Sequence, residues 1–241
     1  EYLANGGKLF FEADALVENG SFALDFGFEY LGAPENDIDY ILAPDVCDAP
    51  ILCDHPAHRV HAEDAEALAE GLSPYFNRTL RHYCGHKNTP HNKSASHFPS
   101  IIKKGNVVYT AHPLSKQYFE YGSIYHKRIF LSALAKIYTE PVLTVSNFFS
   151  EGRVSLIEQE KENRYCLHLL YGVPTKRGNT EVIEDLPPIY NVGVAIRTDK
   201  KITSVVFPLS GEEIPFDVKD GILTFTVPSF SCHTVVTINY K

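Results

Sequence analysis

Nine of the eleven histidines in this 241-residue chain fall between His55 and His126, and the segment Asn77-Arg-Thr-Leu-Arg-His-Tyr-Cys-Gly-His-Lys-Asn-Thr-Pro-His91 lies inside that stretch. The run has neither the period of a helix nor the alternation of a strand, so it is expected to be a loop whose side chains bind or titrate. Three chemistries are open to it. Cys84, flanked by His82 and His86, has the residue types of a nucleophile and its base. His82, Cys84, His86 and His91 are ligand types that zinc prefers, but their spacing matches no closed structural site, and no metal or other cofactor is expected. Arg78, His82, Tyr83, His86, Thr89 and His91 have the make-up of a sugar pocket, where directional hydrogen bonds meet hydroxyls and rings lie under apolar sugar faces. Those six are the candidate substrate-binding residues. The competing reading is a loop that docks domains together.

Two other histidines carry weaker signals. His168 sits in the apolar run Arg164 to Tyr171, where a satisfied core or interface histidine is expected. His112, followed by Pro113, either caps the next helix or lines a crevice at a strand end.

The elements that must position the loop fall into two regions. Residues 1–139 alternate strand and helix signals. They comprise a strand at Lys8 to Ala13, a strand at Ile38 to Ala43, a short acidic helix at Ala62 to Ala69, and two strands around Lys-Gly-Asn between Ser100 and Ala111. A helix from Ser123 to Tyr138 follows, its apolar residues Ile124, Ile129, Phe130, Leu131, Leu134 and Ile137 recurring at helical spacing. The pattern predicts a partial α/β layer, the class whose ligand sites lie at strand ends. Residues 140–241 are short β-rich runs broken by Pro, Gly and Asp, with Lys219-Asp-Gly221 as a hairpin turn, and predict an antiparallel β-sandwich.

Composition bounds the partners. The net charge of -8, with Lys and Arg scattered singly, disfavours nucleic acid. No apolar run approaches the roughly 20 residues that cross a bilayer, so no membrane partner is expected. Five widely spaced cysteines without a C-x-x-C pair argue against a disulfide framework or a zinc ribbon and fit a reducing, cytoplasmic setting. The chain has no Met, and Glu1 to Gly7 reads as the last turn of a helix closed by glycine. The expectation is a C-terminal portion of a larger protein whose sheet lacks its first strands, leaving apolar surface near Phe10, Phe11 and Phe22.

Particular strings resemble a known family. Tyr2-Leu-Ala-Asn-Gly-Gly-Lys-Leu9, Leu24-Asp25 and Tyr30-Leu-Gly32 are similar to the later half of the β-galactosidase trimerisation domain, a flavodoxin-like module related in fold to class I glutamine amidotransferases. Gly105-Asn-Val-Val-Tyr-Thr-Ala-His-Pro113, then Tyr118, Gly122 and the helix through Arg128, resemble the end of that module as it occurs in bacterial α-L-fucosidase-like hydrolases of the β-galactosidase superfamily. Arg164 to Leu170, Ile183-Glu-Asp-Leu-Pro-Pro188 and Val227-Pro-Ser-Phe-Ser-Cys-His233 resemble the small C-terminal sandwich of the same enzymes.

The resemblance implies catalytic carboxylates on a preceding (β/α)8 barrel, for which this chain has no room. It therefore implies no catalytic residue here, a carbohydrate substrate met through the full-length enzyme, and a homo-oligomer. Glu63-Asp64 and Glu184-Asp185 read as a helix start and a loop, not as a catalytic pair. The alternative from another class is a stand-alone amidotransferase-like Cys/His enzyme or a sugar-binding module. Against the first stands Tyr83-Cys-Gly-His86, which is not the G-x-C-x-G elbow of that fold.

Overall fold

A computed structural model describes all residues from Glu1 to Lys241. The chain divides into two compact units, Glu1–Thr139 and Glu140–Lys241. All five cysteines are free. No helix is long and apolar enough to cross a membrane.

The first unit contains strands β1 (Leu9–Glu12), β2 (Val17–Glu18), β3 (Ser21–Phe22), β4 (Glu29–Gly32), β5 (Asp39–Ala43), β6 (Cys47–Cys53), β7 (Arg59–His61), β8 (Glu66–Leu72), β9 (Phe98–Lys104) and β10 (Val107–Thr110). Helices α1 (Leu114–Tyr121) and α2 (Ile124–Ala135) follow. Six strands form one sheet in the order β1-β10-β9-β8-β5-β6. Only β1 with β10 is parallel; the other neighbours run antiparallel. The unit is thus β-rich, with two helices.

Every residue of β10 is buried, because both faces of the sheet are covered. On one face Ile41, Ile101 and Val108 pack with Leu114, Ile129 and Ala133 of the helices. On the other, Val107 and Tyr109 meet Phe11, Phe26 and Phe28. That aromatic layer corrects the expectation of bare apolar surface. Phe11 is buried against Phe22, Phe26 and Phe28, and Phe10 packs edge-on against Phe130.

The acidic helix expected at Ala62 to Ala69 does not form. Asp64 has φ 55°, and Glu66–Leu72 is β8, paired with β9 on one side and β5 on the other. Alanine and glutamate favour helix in isolation, but ladder pairing with two neighbours overrides a preference worth only tenths of a kcal/mol per residue. Gly71 marks how tight that pairing is. It faces Phe98 across the ladder, and a Cβ there would stand 1.9 Å from the ring, over which the Arg59 guanidinium sits 3.8 Å from the centroid. Gly71→Ala should therefore cost about 1–3 kcal/mol through overpacking. An unchanged denaturant midpoint would show that the ring swings away freely.

The second unit is all β apart from one short 3-10 turn, Glu160–Glu162. Its strands are β11 (Leu143–Ser146), β12 (Arg153–Gln159), β13 (Arg164–Leu170), β14 (Thr175–Arg177), β15 (Thr180–Val182), β16 (Ile189–Arg197), β17 (Ile202–Val206), β18 (Phe216–Lys219), β19 (Ile222–Phe230) and β20 (His233–Tyr240). Two four-stranded sheets, β11-β16-β19-β18 and β12-β13-β20-β17, enclose one core of Leu167, Val192, Val194, Leu223, Phe225, Val236 and Ile238. Alternation puts these side chains inward on each strand. Asp220 and Gly221, at φ 51° and 74°, form the tight turn between β18 and β19. His168 is half-buried and sits diagonally across the ladder from His233, their facing nitrogens 3.3 Å apart.

Candidate functional site

The segment between β8 and β9 is a loop closed at its base. Pro74 bridges to His91, the Tyr75 amide donates to the Pro90 carbonyl at 3.1 Å, and the Asn92 amide donates to the Ser73 carbonyl at 2.8 Å. This is the geometry of an Ω-loop, whose neck is fixed and whose apex is free to carry function. Asn77 anchors one arm, accepting from the Asp37 amide at 3.0 Å and donating to the Glu35 carbonyl at 3.2 Å.

The six candidate residues divide by position. The Arg78 guanidinium donates to the carbonyls of His86 and Lys87, bracing the loop from within. Thr89 is 1% exposed and its carbonyl accepts from the Tyr40 hydroxyl at 2.7 Å. His91 packs against the Tyr40 ring at 5.5 Å. These three build the neck and frame. His82, Tyr83 and His86 are exposed at the apex, beside Leu80, which is 99% exposed. His82 is held flat on Phe76 at 3.7 Å between ring centres, while the Thr79 hydroxyl caps the amides of Arg81 and His82.

The Cys84 thiol is directed at the carbonyls of His86 and Asn88, at 3.6 and 3.7 Å. A nucleophile needs a base within hydrogen-bond reach, and these partners are not bases. The loop also gathers no three of its His and Cys ligand atoms at one point. Several histidines outside it are committed to acids: His55 to Glu120 at 2.6 Å, His97 to Glu70 at 2.5 Å and His61 to Glu63 at 3.3 Å.

A second constellation lies inside the first unit. Asp39 opens β5 and Cys53 ends β6 directly opposite it; Ser100 lies on β9, and His112 follows β10. His112 bonds through Nε2 to Asp39 Oδ1 at 2.6 Å and through Nδ1 to Ser100 Oγ at 2.7 Å. Asp39 Oδ2 accepts from the Ala57 amide at 2.9 Å. His126 Nε2 donates to the Leu52 carbonyl at 3.0 Å and lies 3.8 Å from Cys53 Sγ. Asp39, Cys53 and His112 are each 0% exposed.

Burial works against a charged imidazole at His112, but Cys53 and the Asp39 carboxylate outweigh it and push its pKa up to about 10. Burial also raises the Cys53 thiol. Burial lowers His126. Ser100, His112 and Asp39 share residue types with a hydrolytic triad, yet no substrate can reach groups sealed from solvent. His112 therefore neither caps the helix with its side chain nor lines an open crevice. The one signal in the sequence was Asp39 and Cys53 standing as polar residues within apolar strand runs.

No family model matches the chain, and no curated protein matches it in sequence. Among solved structures, α-L-fucosidase isoenzyme 2 from Paenibacillus thiaminolyticus superposes with a TM-score of 0.91 at 28% identity, over 100% of this chain and 38% of that one. A GH42 β-galactosidase from G. stearothermophilus, Gan42B, matches with TM-scores of 0.53 and, as a catalytic mutant, 0.52, at 14% and 13% identity. Those matches cover 29% and 28% of the galactosidase chains and speak for the fold alone. The chain spans well under half of each neighbour, and over its whole length it is similar in structure to a part of glycoside hydrolases.

Proposed function

We propose that this chain is the C-terminal, non-catalytic region of an α-L-fucosidase-like glycoside hydrolase. The first unit is then the trimerisation-like module, with its amidotransferase-like layer, and serves oligomer assembly. The second is the bracing sandwich. The observation that carries the reading is the similarity to the Paenibacillus fucosidase along the entire chain. The histidine loop, through His82, Tyr83 and His86 at its apex, reaches the sugar pocket of its own or a neighbouring subunit, with Arg78, Thr89 and His91 holding it in shape.

Four features support this. The acidic pairs have other occupations: Glu63 and Asp64 lie in an exposed turn, and Glu184 pairs with Arg177 at 2.6 Å. Glycoside hydrolysis needs two carboxyl groups facing one bond. An apex that exposes Leu80 and Tyr83 to water is suited to burial against another surface. Phe119 and Leu131, 89% and 50% exposed, offer the apolar area a subunit contact covers. Five free cysteines fit a reducing cytoplasm.

The 241-residue chain alone should hydrolyse neither aryl α-L-fucoside nor aryl β-galactoside, whereas the full-length protein should cleave one of them. Turnover by the isolated chain would overturn the reading.

A further inference from the structure

We propose that Asp39, Cys53 and His112 form a zinc site inside the first unit, separate from the histidine loop. Their ligand atoms, a carboxylate oxygen, a sulfur and an imidazole nitrogen, lie within 4.8 Å of one another, and all three residues are closed to solvent. Oxygen, nitrogen and sulfur together are a donor set that zinc accepts, and a thiolate with an imidazole selects against magnesium and calcium.

The surroundings are built as the outer shell of a metal centre is built. A ligating histidine holds its orientation by donating from its other nitrogen, and His112 Nδ1 has Ser100 Oγ at 2.7 Å. A ligating carboxylate is held by a bond to its second oxygen, and Asp39 Oδ2 has the Ala57 amide at 2.9 Å. His112 and Asp39 thus each have an outer partner, supplied by a different segment, and His126 lies beside Cys53 with Nε2 3.8 Å from Sγ.

Zinc takes the place of any proton on Cys53 Sγ and His112 Nε2, which passes to solvent as the Zn–S and Zn–N bonds form, and the thiolate with the Asp39 carboxylate offsets the charge of the ion. Oxygen and nitrogen ligands of one tetrahedral zinc stand roughly 3.3 Å apart, from bond lengths of about 2.0–2.1 Å. Asp39 and His112, now 2.6 Å apart, separate by about 0.7 Å to admit it.

The test uses the intact protein, purified from zinc-supplemented cells, dialysed exhaustively and assayed for metal, then stripped and refolded with cobalt(II). Near-equimolar zinc and a thiolate-to-cobalt charge-transfer band are expected. Both should persist in a variant carrying Cys47, Cys84, Cys166 and Cys232 all as Ser, which keeps Cys53 as the sole thiol of these 241 residues, and both should vanish in Cys53→Ala. Protein that retains no zinc and shows no such band overturns the site, as does metal still bound in Cys53→Ala. Should Cys53→Ala fail to fold, the variant with Cys53 alone decides: a band there supports the site and its absence refutes it.

Discussion

Replacing Asp39 by Ala should lower the stability of the metal-free first unit by about 3–5 kcal/mol, the range measured when one partner of a buried ion pair is removed. Asp39 is fully buried, and its carboxylate is the countercharge to His112 and the acceptor for the Ala57 amide. The variant strands an imidazole whose protonated form has lost its partner and an amide with no acceptor, each a cost of desolvation without a returning bond. At roughly 2–4 °C per kcal/mol, the melting transition of the unit should fall by about 6–20 °C. Calorimetry at neutral pH reads this directly. Because the penalty comes from the orphaned partner, Asp39→Leu combined with His112→Leu should recover part of the loss. A single variant that melts within a degree of the parent would mean that the pair carries no net stabilisation.

The second large effect concerns activity. Under the proposed function, His82→Ala or His86→Ala in the full-length protein should lower turnover of the preferred glycoside by one to three orders of magnitude, about 1.4–4 kcal/mol of transition-state stabilisation. Such a loss is expected when a pocket hydrogen bond that strengthens in the transition state disappears. Stability should change little. Both side chains are exposed, and the neck bonds at Ser73, Tyr75, Pro90 and Asn92 belong to the backbone. Stability and kinetics must therefore be measured on the same preparations. Parent kinetics in both variants would reduce the loop to a docking element, and loss of folding would show that the His82 ring on Phe76 is structural.

Several elements were legible because their signals are local. The hairpin of β9 and β10 follows from two β-branched runs around a glycine turn, α2 from its apolar period, and the β18–β19 hairpin from Asp220-Gly221. The loop at Asn77–His91 was legible as a loop because it lacks any period. Other features failed for a stated cause. The run through Ala62–Ala69 reads as helix on intrinsic preference, and only pairing with β5 and β9 makes Glu66–Leu72 a strand. Phe11 and Phe22 read as an uncovered surface because nothing local reveals that Phe26 and Phe28 fold back over them.

What the sequence determined by itself was composition and pattern: an acidic chain, β-rich in its second half, with a histidine-bearing loop and no clustered basic surface. Tertiary structure alone decided which of those histidines face water and which are sealed. Arg78, Thr89 and His91 look like ligands in sequence and are framework in space, because the Arg78 guanidinium is turned onto the loop's own backbone, Thr89 is buried with its carbonyl on the Tyr40 hydroxyl, and His91 packs on the Tyr40 ring. Asp39, Cys53, Ser100 and His112 carry no shared spacing. The contact from Asp39 to His112 spans 73 residues, and only the lateral order of the sheet strands brings the four together. A one-dimensional pattern records alternation along a strand, but which strands lie side by side is settled by burial of both sheet faces at once, and that is where the buried cluster is made.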